Sequence, residues 1–474
     1  MTSRTTVALT ILHFSDVYEI APVSGGRLGG LARLATLRRQ LAAKNPNTLV
    51  LFAGDFYTPS GLGTAIVDGS PLDGQQTVAI FNQLDIDCMT FGDHEFHVHN
   101  ESAFYARLSE TAFPVISSNL CMLDGQPFPG IAAHKILTVT NQHGAAVRIG
   151  VFGITKKVEE SVVPIIQVDP VTAAAEQVDA LRTQVDLLIA LTHQPLAADI
   201  GLAHAYPAID LILGGDDHEA VAVPSEAGMA PIYKSDANAR TVYVLDLAYD
   251  TASQSFTIDA RQEAITDALV ADDAIQAEVE RWTGLAYDAF RDGGIEPTTK
   301  MGEASVDLNG VDNVIRNGPT ALTDMLLSGM RAALPTAQVA VIDAGLMRLD
   351  DCLPAGSPIT TYDLIRLFPK NYRLVLARLG GHFLCELLDF GAAAIGTGHF
   401  MLLSRNVHFS EKDGWLVDSI PINVEQSYLI AAPDCWLIEG VDLIEETITL
   451  REVFAGQLQQ NKKCEMLFPN NVET

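Results

Sequence analysis

The 474-residue chain is 48% hydrophobic and 19% charged, which supplies large cores for two or three domains and argues against a disordered chain. Its 59 acidic residues against 30 basic ones give a formal charge of −29, a surface that repels nucleic-acid polymers and anionic membranes. A small phosphorylated substrate remains compatible with that charge, because bound cations supply local positive charge. The six cysteines (Cys88, Cys121, Cys352, Cys385, Cys435 and Cys464) form no CxxC pair and read as reduced thiols rather than as a zinc finger or redox motif. Met1 to Thr6 lack the apolar core of a signal peptide, and no apolar run of about 18 residues exists. A cytoplasmic protein without a membrane span is expected.

In chain order, Val7 to Phe14 reads as a strand ending at Ser15-Asp16, Leu31 to Ala43 as a helix, and Thr48 to Ala53 as a strand ending at Gly54-Asp55. Met89 to Phe91 leads into Gly92-Asp93-His94-Glu95, and Val147 to Phe152 ends at Gly153. Val185 to Leu191 ends at Thr192-His193, and Ile209 to Leu213 at Gly214-Gly215-Asp216-Asp217-His218. A single Asp after a strand is an ordinary turn or cap. Its repetition gathers polar groups at strand ends, where α/β folds bind ligands. From about Ala264 to Asp292 the chain is acidic and proline-free, which predicts a linking helix broken by Gly293-Gly294-Ile295-Glu296-Pro297. A second α/β region follows, with strands predicted over Val339–Asp343, Arg373–Leu379 and Tyr428–Ala432; the tail after Asn461 reads as frayed. The expected division is residues 1–262, a linker over 263–296, and residues 297–474.

Carboxylates and imidazoles suit hard and first-row divalent metals, and Asp16, Asp55, Asp93, His94, His193, Asp216 and His218 all lie at strand ends. No GxxxxGK[ST] loop is present, which excludes a P-loop nucleotide hydrolase. Gly214-Gly215 allows close backbone approach. His13 lies within a strand and reads as a satisfied core histidine. His97 and His99 flank Val98 and are expected on one strand face.

These segments resemble the 5′-nucleotidase branch of the calcineurin-like metallophosphoesterases. Ile11-Leu12-His13-Phe14-Ser15-Asp16-Val17-Tyr18 is similar to the family's ILHxND-x-H opening, Ala53-Gly54-Asp55 to AGD, Gly92-Asp93-His94-Glu95-Phe96-His97 to GNHEFD, Ala190-Leu191-Thr192-His193 to ALTH, and Gly214 to His218 to GGHxH. After the linker, Val341 to Arg348 is similar to NxGGIR, Gly356 to Thr360 to GxIT, Leu367-Phe368-Pro369 to FPF, Gly396 to Phe400 to GGF, and Ala432 to Trp436 to GGDGY.

The resemblance implies an α/β fold: a two-sheet αββα sandwich followed by a smaller α/β C-terminal domain. It implies one or two divalent ions, with Asp16, Asp55 and His218 on one and Asp55, Asp93, His193 and Asp216 on the other, Asp55 bridging. His94 would stabilise developing charge or protonate the leaving oxygen. Phe400 and Trp436 would stack a base, Asp434 would contact a sugar and Arg348 a phosphate. The implied reaction is hydrolysis of phosphate esters, nucleotides above all, by a metal-activated water, as a 5′-nucleotidase or a cyclic phosphodiesterase.

The chain departs from the pattern at four places. Tyr18 stands for a His ligand, Asp93 for an Asn, Asp216 for a His, and His97 for the Asp that partners the catalytic His. Two neutral donors have become carboxylates, which favours Mn²⁺ or Mg²⁺ over zinc, with iron, cobalt and calcium also compatible. Tyr18 is open between a ligand and a buried aromatic. The same departures favour a competing expectation, a catalytically weakened nucleotide-binding or regulatory protein on the same fold.

Overall fold

The computed structural model describes residues 4–226, 228–436 and 442–467. The chain divides into two compact units, Met1–Ala289 and Phe290–Thr474.

In the first unit the strands of the two large sheets are β1 (Thr6–Phe14), β2 (Thr48–Phe52), β3 (Cys88–Thr90), β4 (Val115–Ile116), β5 (His134–Thr140), β6 (Ala146–Thr155), β7 (Leu187–His193), β8 (Leu211–Gly215), β9 (Val221–Val223), β10 (Ile232–Lys234), β11 (Thr241–Asp250) and β12 (Ser255–Ala264). Among the described residues they form two six-stranded sheets, ordered β12-β11-β1-β2-β3-β4 and β9-β10-β8-β7-β6-β5.

Alternation explains the uninterrupted apolar runs of the central strands. Val147, Ile149 and Val151 of β6 and Ile189 and Leu191 of β7 point into the core between the sheets, with Ile11, Leu51, Leu213 and Leu245. The intervening Phe152, Ile154, Leu188 and Ala190 pack outward against Ala173, Ala174 and Leu202 of the helices Pro170–Leu181 and Leu196–Ala205. A strand buried on both faces has no polar face to show. This is the αββα sandwich, and β1, β2 and β3, like β6, β7 and β8, run parallel, so their C-terminal ends share an edge within each sheet.

In the first unit two boundaries and one strand assignment differ from expectation. β6 continues through Thr155 rather than ending at Gly153. The linking helix begins at Asp273, not near Ala264, because Asp272 Oδ1 accepts from the amides of Ala274 and Ile275 as an N-cap and the preceding residues extend β12. His94–His97 form a 3₁₀ turn, so His97 and His99 do not share a strand face.

The second unit is built on a five-stranded sheet among the described residues: β13 (Val339–Asp343), β14 (Arg373–Gly380), β15 (Met401–Leu403), β16 (Ser427–Pro433) and β17 (Asp442–Thr449), in the order β15-β13-β16-β14-β17. Helices Ala321–Ala333 and Leu450–Leu467 cover one face through Leu322, Leu326, Met330, Val453 and Phe454. Helix Gly381–Ala393 covers the other through Leu384 and Leu388. The last helix runs past Asn461 to Leu467; residues 468–474 lie outside the described ones.

Candidate metal centre

The turns after the central strands of both sheets converge. Those following β1 and β2 are tied by backbone hydrogen bonds, Asp16 N to Gly54 O (2.9 Å) and Val17 N to Asp55 O (2.8 Å). Asp16, Asp55, Asp216 and His218 all have left-handed backbones, with φ of +56°, +65°, +84° and +54°. Asp and His tolerate that region better than most residues, but each such residue still stores strain of about 1–3 kcal/mol. Strain collected at these strand ends directs side chains inward to one point.

At that point lies the His193 imidazole, fully buried. Its Nδ1 donates to the Ala53 carbonyl at 2.6 Å, which leaves Nε2 to face the centre. Nε2 makes no hydrogen bond, yet carboxylate oxygens of Asp55, Asp93, Asp16 and Asp216 surround it at 3.2, 3.5, 3.8 and 3.9 Å. A nitrogen among four carboxylates is an arrangement that can hold a divalent cation. Burial pulls the His193 pKa down, but Asp55 and Asp16 outweigh it and hold the group well above its ordinary range. Burial likewise pushes Asp55 up, and the His193 charge beside it prevails and holds it low. Two sets of side chains that include His193 offer ligand atoms close enough to share an ion, Asp16–Asp55–His193 and Asp93–His193–Asp216, and Asp93 forms a further set with His94 and His97. These oxygen and imidazole donors are the set a divalent ion takes, so the residues present fit the metal that the fold implies.

His218 is buried with Nε2 3.3 Å from Asp16 Oδ1 and 3.2 Å from the Tyr18 hydroxyl. That hydroxyl also donates to Asp55 Oδ2 at 3.1 Å, so Tyr18 is both buried and part of the centre. His13 is the core histidine expected: its ring nitrogens face the Leu51 and Gly214 carbonyls, and burial lowers its pKa to about 4.

His94 and His97 meet through their Nδ1 atoms at 2.9 Å, and His97 Nε2 donates to the Glu159 carbonyl at 2.6 Å. A carbonyl only accepts, so a neutral His97 carries its proton on Nε2 and offers Nδ1 as an acceptor to His94 Nδ1–H. The lone pair of His94 is thereby placed on Nε2.

Sequence alone does not single out three positioning residues. Glu95, fully buried, accepts from the amides of Gly92 (2.6 Å), Phe56 (2.8 Å), Asp55 (3.1 Å) and Tyr57 (3.4 Å), clamping the Asp55 turn. Lys234, also fully buried, donates to the Gln194 carbonyl, lies 3.2 Å from Asp199 and pairs with Asp217, which tethers the turn holding Asp216 and His218. Lys156 places its ammonium 3.1 Å from Asp93 Oδ1 and against Asp216 Oδ1. Glu95 lies inside a quoted motif, between two histidines that draw the attention, and nothing local marks it as a clamp. Lys156 is hidden because β6 runs two residues beyond Gly153, where its apolar run predicts the end.

The candidate substrate residues lie in the second unit. Phe400 packs beside the core under helices Ala321–Ala333 and Leu450–Leu467, and Trp436 beside the core on the other face of the sheet. Trp436 Nε1 donates to Asp343 Oδ2 at 3.2 Å, and both line a cavity of about 190 Å³ with Phe383, Leu387, Met401 and Cys435. Asp434 is half-buried in the short turn ending at Trp436. Arg348 is half-buried, with its amide on the Leu367 carbonyl.

The sandwich with its Asp/His cluster at the ends of parallel strands is of the phosphoesterase type, and residues 9–220 match the model of the calcineurin-like phosphoesterase family. The particular relatives are 5′-nucleotidases. The chain is 27% identical over 440 residues to that of Bos taurus, covering 83% of this chain and 74% of the bovine protein. It is 26% identical over 342 residues to that of Homo sapiens, covering 64% of this chain and 56% of the human protein. Among solved structures, a 5′-nucleotidase precursor of Thermus thermophilus superposes with a TM-score of 0.77 at 20% identity, covering 96% of this chain and 97% of that one. The sulfate thiohydrolase of Thermus thermophilus has a TM-score of 0.76 at 18% identity, covering 96% and 94%. At these identities the structural likeness concerns the fold. No helix among the described residues is long and apolar enough to cross a membrane.

Proposed function

We propose that the chain hydrolyses phosphate esters of nucleotides, using one or two divalent ions held by Asp16, Asp55, Asp93, His193, Asp216 and His218, with Mn²⁺ or Mg²⁺ preferred. The observation that carries this reading is the buried His193 Nε2, without a hydrogen bond among four carboxylates. Divalent ions bound there supply Lewis acidity to the phosphoryl group and lower the pKa of water. Of the chain's own residues, Asp55 contributes to the centre from both sides: its Oδ2 faces His193 and its Oδ1 accepts the His94 amide at 2.9 Å. His94 presents its Nε2 lone pair, takes up a proton there from solvent, and as Nε2–H gives that proton to the leaving oxygen when the P–O bond breaks, while His97 orients the ring. On the second unit, Phe400 and Trp436 are assigned to stacking the base, Asp434 to the sugar and Arg348 to phosphate.

The test is hydrolysis of a nucleotide panel and of chromogenic mono- and diesters with Mn²⁺, Mg²⁺ or Co²⁺. Asp55→Ala and His193→Ala are each expected to abolish metal-dependent turnover; native rates in either purified variant remove the assignment. The second reading, a nucleotide-binding protein with weakened chemistry, is favoured by the ammonium of Lys156 between two of the candidate ligands. Tight nucleotide binding without hydrolysis under every metal supports it.

A further inference from the structure

Lys156 owes its place to strand register. β6 and β7 pair in parallel through Thr155 and His193, so the next residue leaves the sheet alongside His193, and its amide donates to the His193 carbonyl at 2.7 Å. The side chain then reaches Asp93 Oδ1 and Asp216 Oδ1. These are the same two oxygens that face His193 Nε2 at 3.5 and 3.9 Å. They complete the second of the two ligand sets, Asp93–His193–Asp216, whereas Lys156 has no ion pair with Asp16 or Asp55 of the first among the described contacts.

An ion bound to those oxygens at roughly 2.0–2.2 Å would press on an ammonium that contacts both of them. Two cations sharing the same pair of oxygens repel strongly in a buried site. Moreover, Asp93 and Asp216 are the two positions where carboxylates stand in place of neutral donors. A carboxylate pair that an asparagine and a histidine would not provide is what a fixed ammonium requires as its partner.

We propose that Lys156 is a built-in cation in the place of a second metal ion, so that the centre loads with a single divalent ion on Asp16, Asp55 and His193. This rests on the metal reading above and specifies its stoichiometry. Lys156 supplies positive charge and N–H donors at its position, and the single metal supplies the Lewis acidity.

The test counts ions in the intact protein. Native chain, Lys156→Met and Lys156→Gln are stripped with chelator, reloaded with Mn²⁺ and desalted; bound manganese is measured by elemental analysis and the spin state by electron paramagnetic resonance. The native chain is expected to hold one Mn²⁺ with an isolated six-line spectrum, and the variants two with the multiline spectrum of an exchange-coupled pair. Two ions in the native chain, or one in all three proteins, overturns the role of Lys156 while leaving the metal centre standing. No ion in any of them removes the centre and this proposal together. Circular dichroism verifies that the variants fold; should neither do so, the native count and spectrum decide alone.

Discussion

At the scale of single residues, the pairing of His94 with His97 replaces the carboxylate partner that the family pattern places at position 97. A carboxylate would hold an imidazolium by charge; His97 holds a neutral or charged His94 only by one hydrogen bond, with its own orientation set by the Glu159 carbonyl. His97→Ala is therefore expected to lower kcat by about 10–100-fold with KM little changed, and His97→Asp to raise it above the alanine variant, measured by steady-state kinetics under saturating Mn²⁺. Equal rates in all three proteins would show that His94 needs no partner. Asp343 is the other informative single residue. Burial pushes its carboxyl up to about 6 from an ordinary 3.8, only partly opposed by His399 and the Trp436 N–H. A raised carboxyl favours the folded state while it is protonated, below the unfolded pKa, and that advantage is lost as pH rises through about 6. Asp343→Asn should melt higher than the native chain at about pH 8 and match it near pH 4 by calorimetry; a gap independent of pH would contradict this.

At the scale of elements, the turn from Gly92 to Glu95 is the most constrained piece of the centre. A Cβ on Gly92 would lie 1.9 Å from Asp55 Oδ1 and 2.8 Å from the Asp55 amide, so the glycine is there because the Asp55 carboxylate passes against its backbone. Gly92→Ala is expected to weaken Mn²⁺ binding by at least about 10–100-fold by calorimetric titration, the range for displaced supports of metal ligands. Unaltered affinity would mean that Asp55 can relocate. In the same turn, Glu95 has both oxygens occupied by amide donors. Glu95→Gln turns an NH₂ toward amides that can only donate, and should destabilise the first unit by roughly 1–3 kcal/mol in denaturant unfolding. A loss near zero would place the clamp outside the stabilising contacts.

At the scale of the whole molecule, the charge of −29 acts on both components of the proposed reaction with opposite sign. It concentrates divalent cations and repels anionic esters, and both effects fade as the Debye length falls from about 30 Å at 0.01 M salt to about 8 Å at 0.15 M. Raising NaCl over that range should weaken Mn²⁺ binding and lower KM for a dianionic ester measured at saturating metal. A KM that rises with salt would indicate a positive local field that overrides the net charge.

The amino-acid sequence by itself determined the apolar runs that bury β6 and β7 on both faces and the order of the Asp- and His-bearing turns, while the sandwich and the grouping of those residues into one centre were expectations from the resemblance of their motifs to a known family. The runs and turns follow from local pattern: apolar strand interiors and acidic turns at strand ends. Only the tertiary structure decided what those turns do to one another. Glu95 clamps the Asp55 turn and Lys234 tethers Asp217 through contacts between separate strand ends. His97 meets His94 because the backbone there winds into a 3₁₀ turn instead of continuing as a strand. Lys156 enters between Asp93 and Asp216 because β6 keeps its register with β7 beyond its apolar core. The physical reason is that an ammonium or a carboxylate acquires its role from the charges brought within about 4 Å of it, and no local pattern records that proximity.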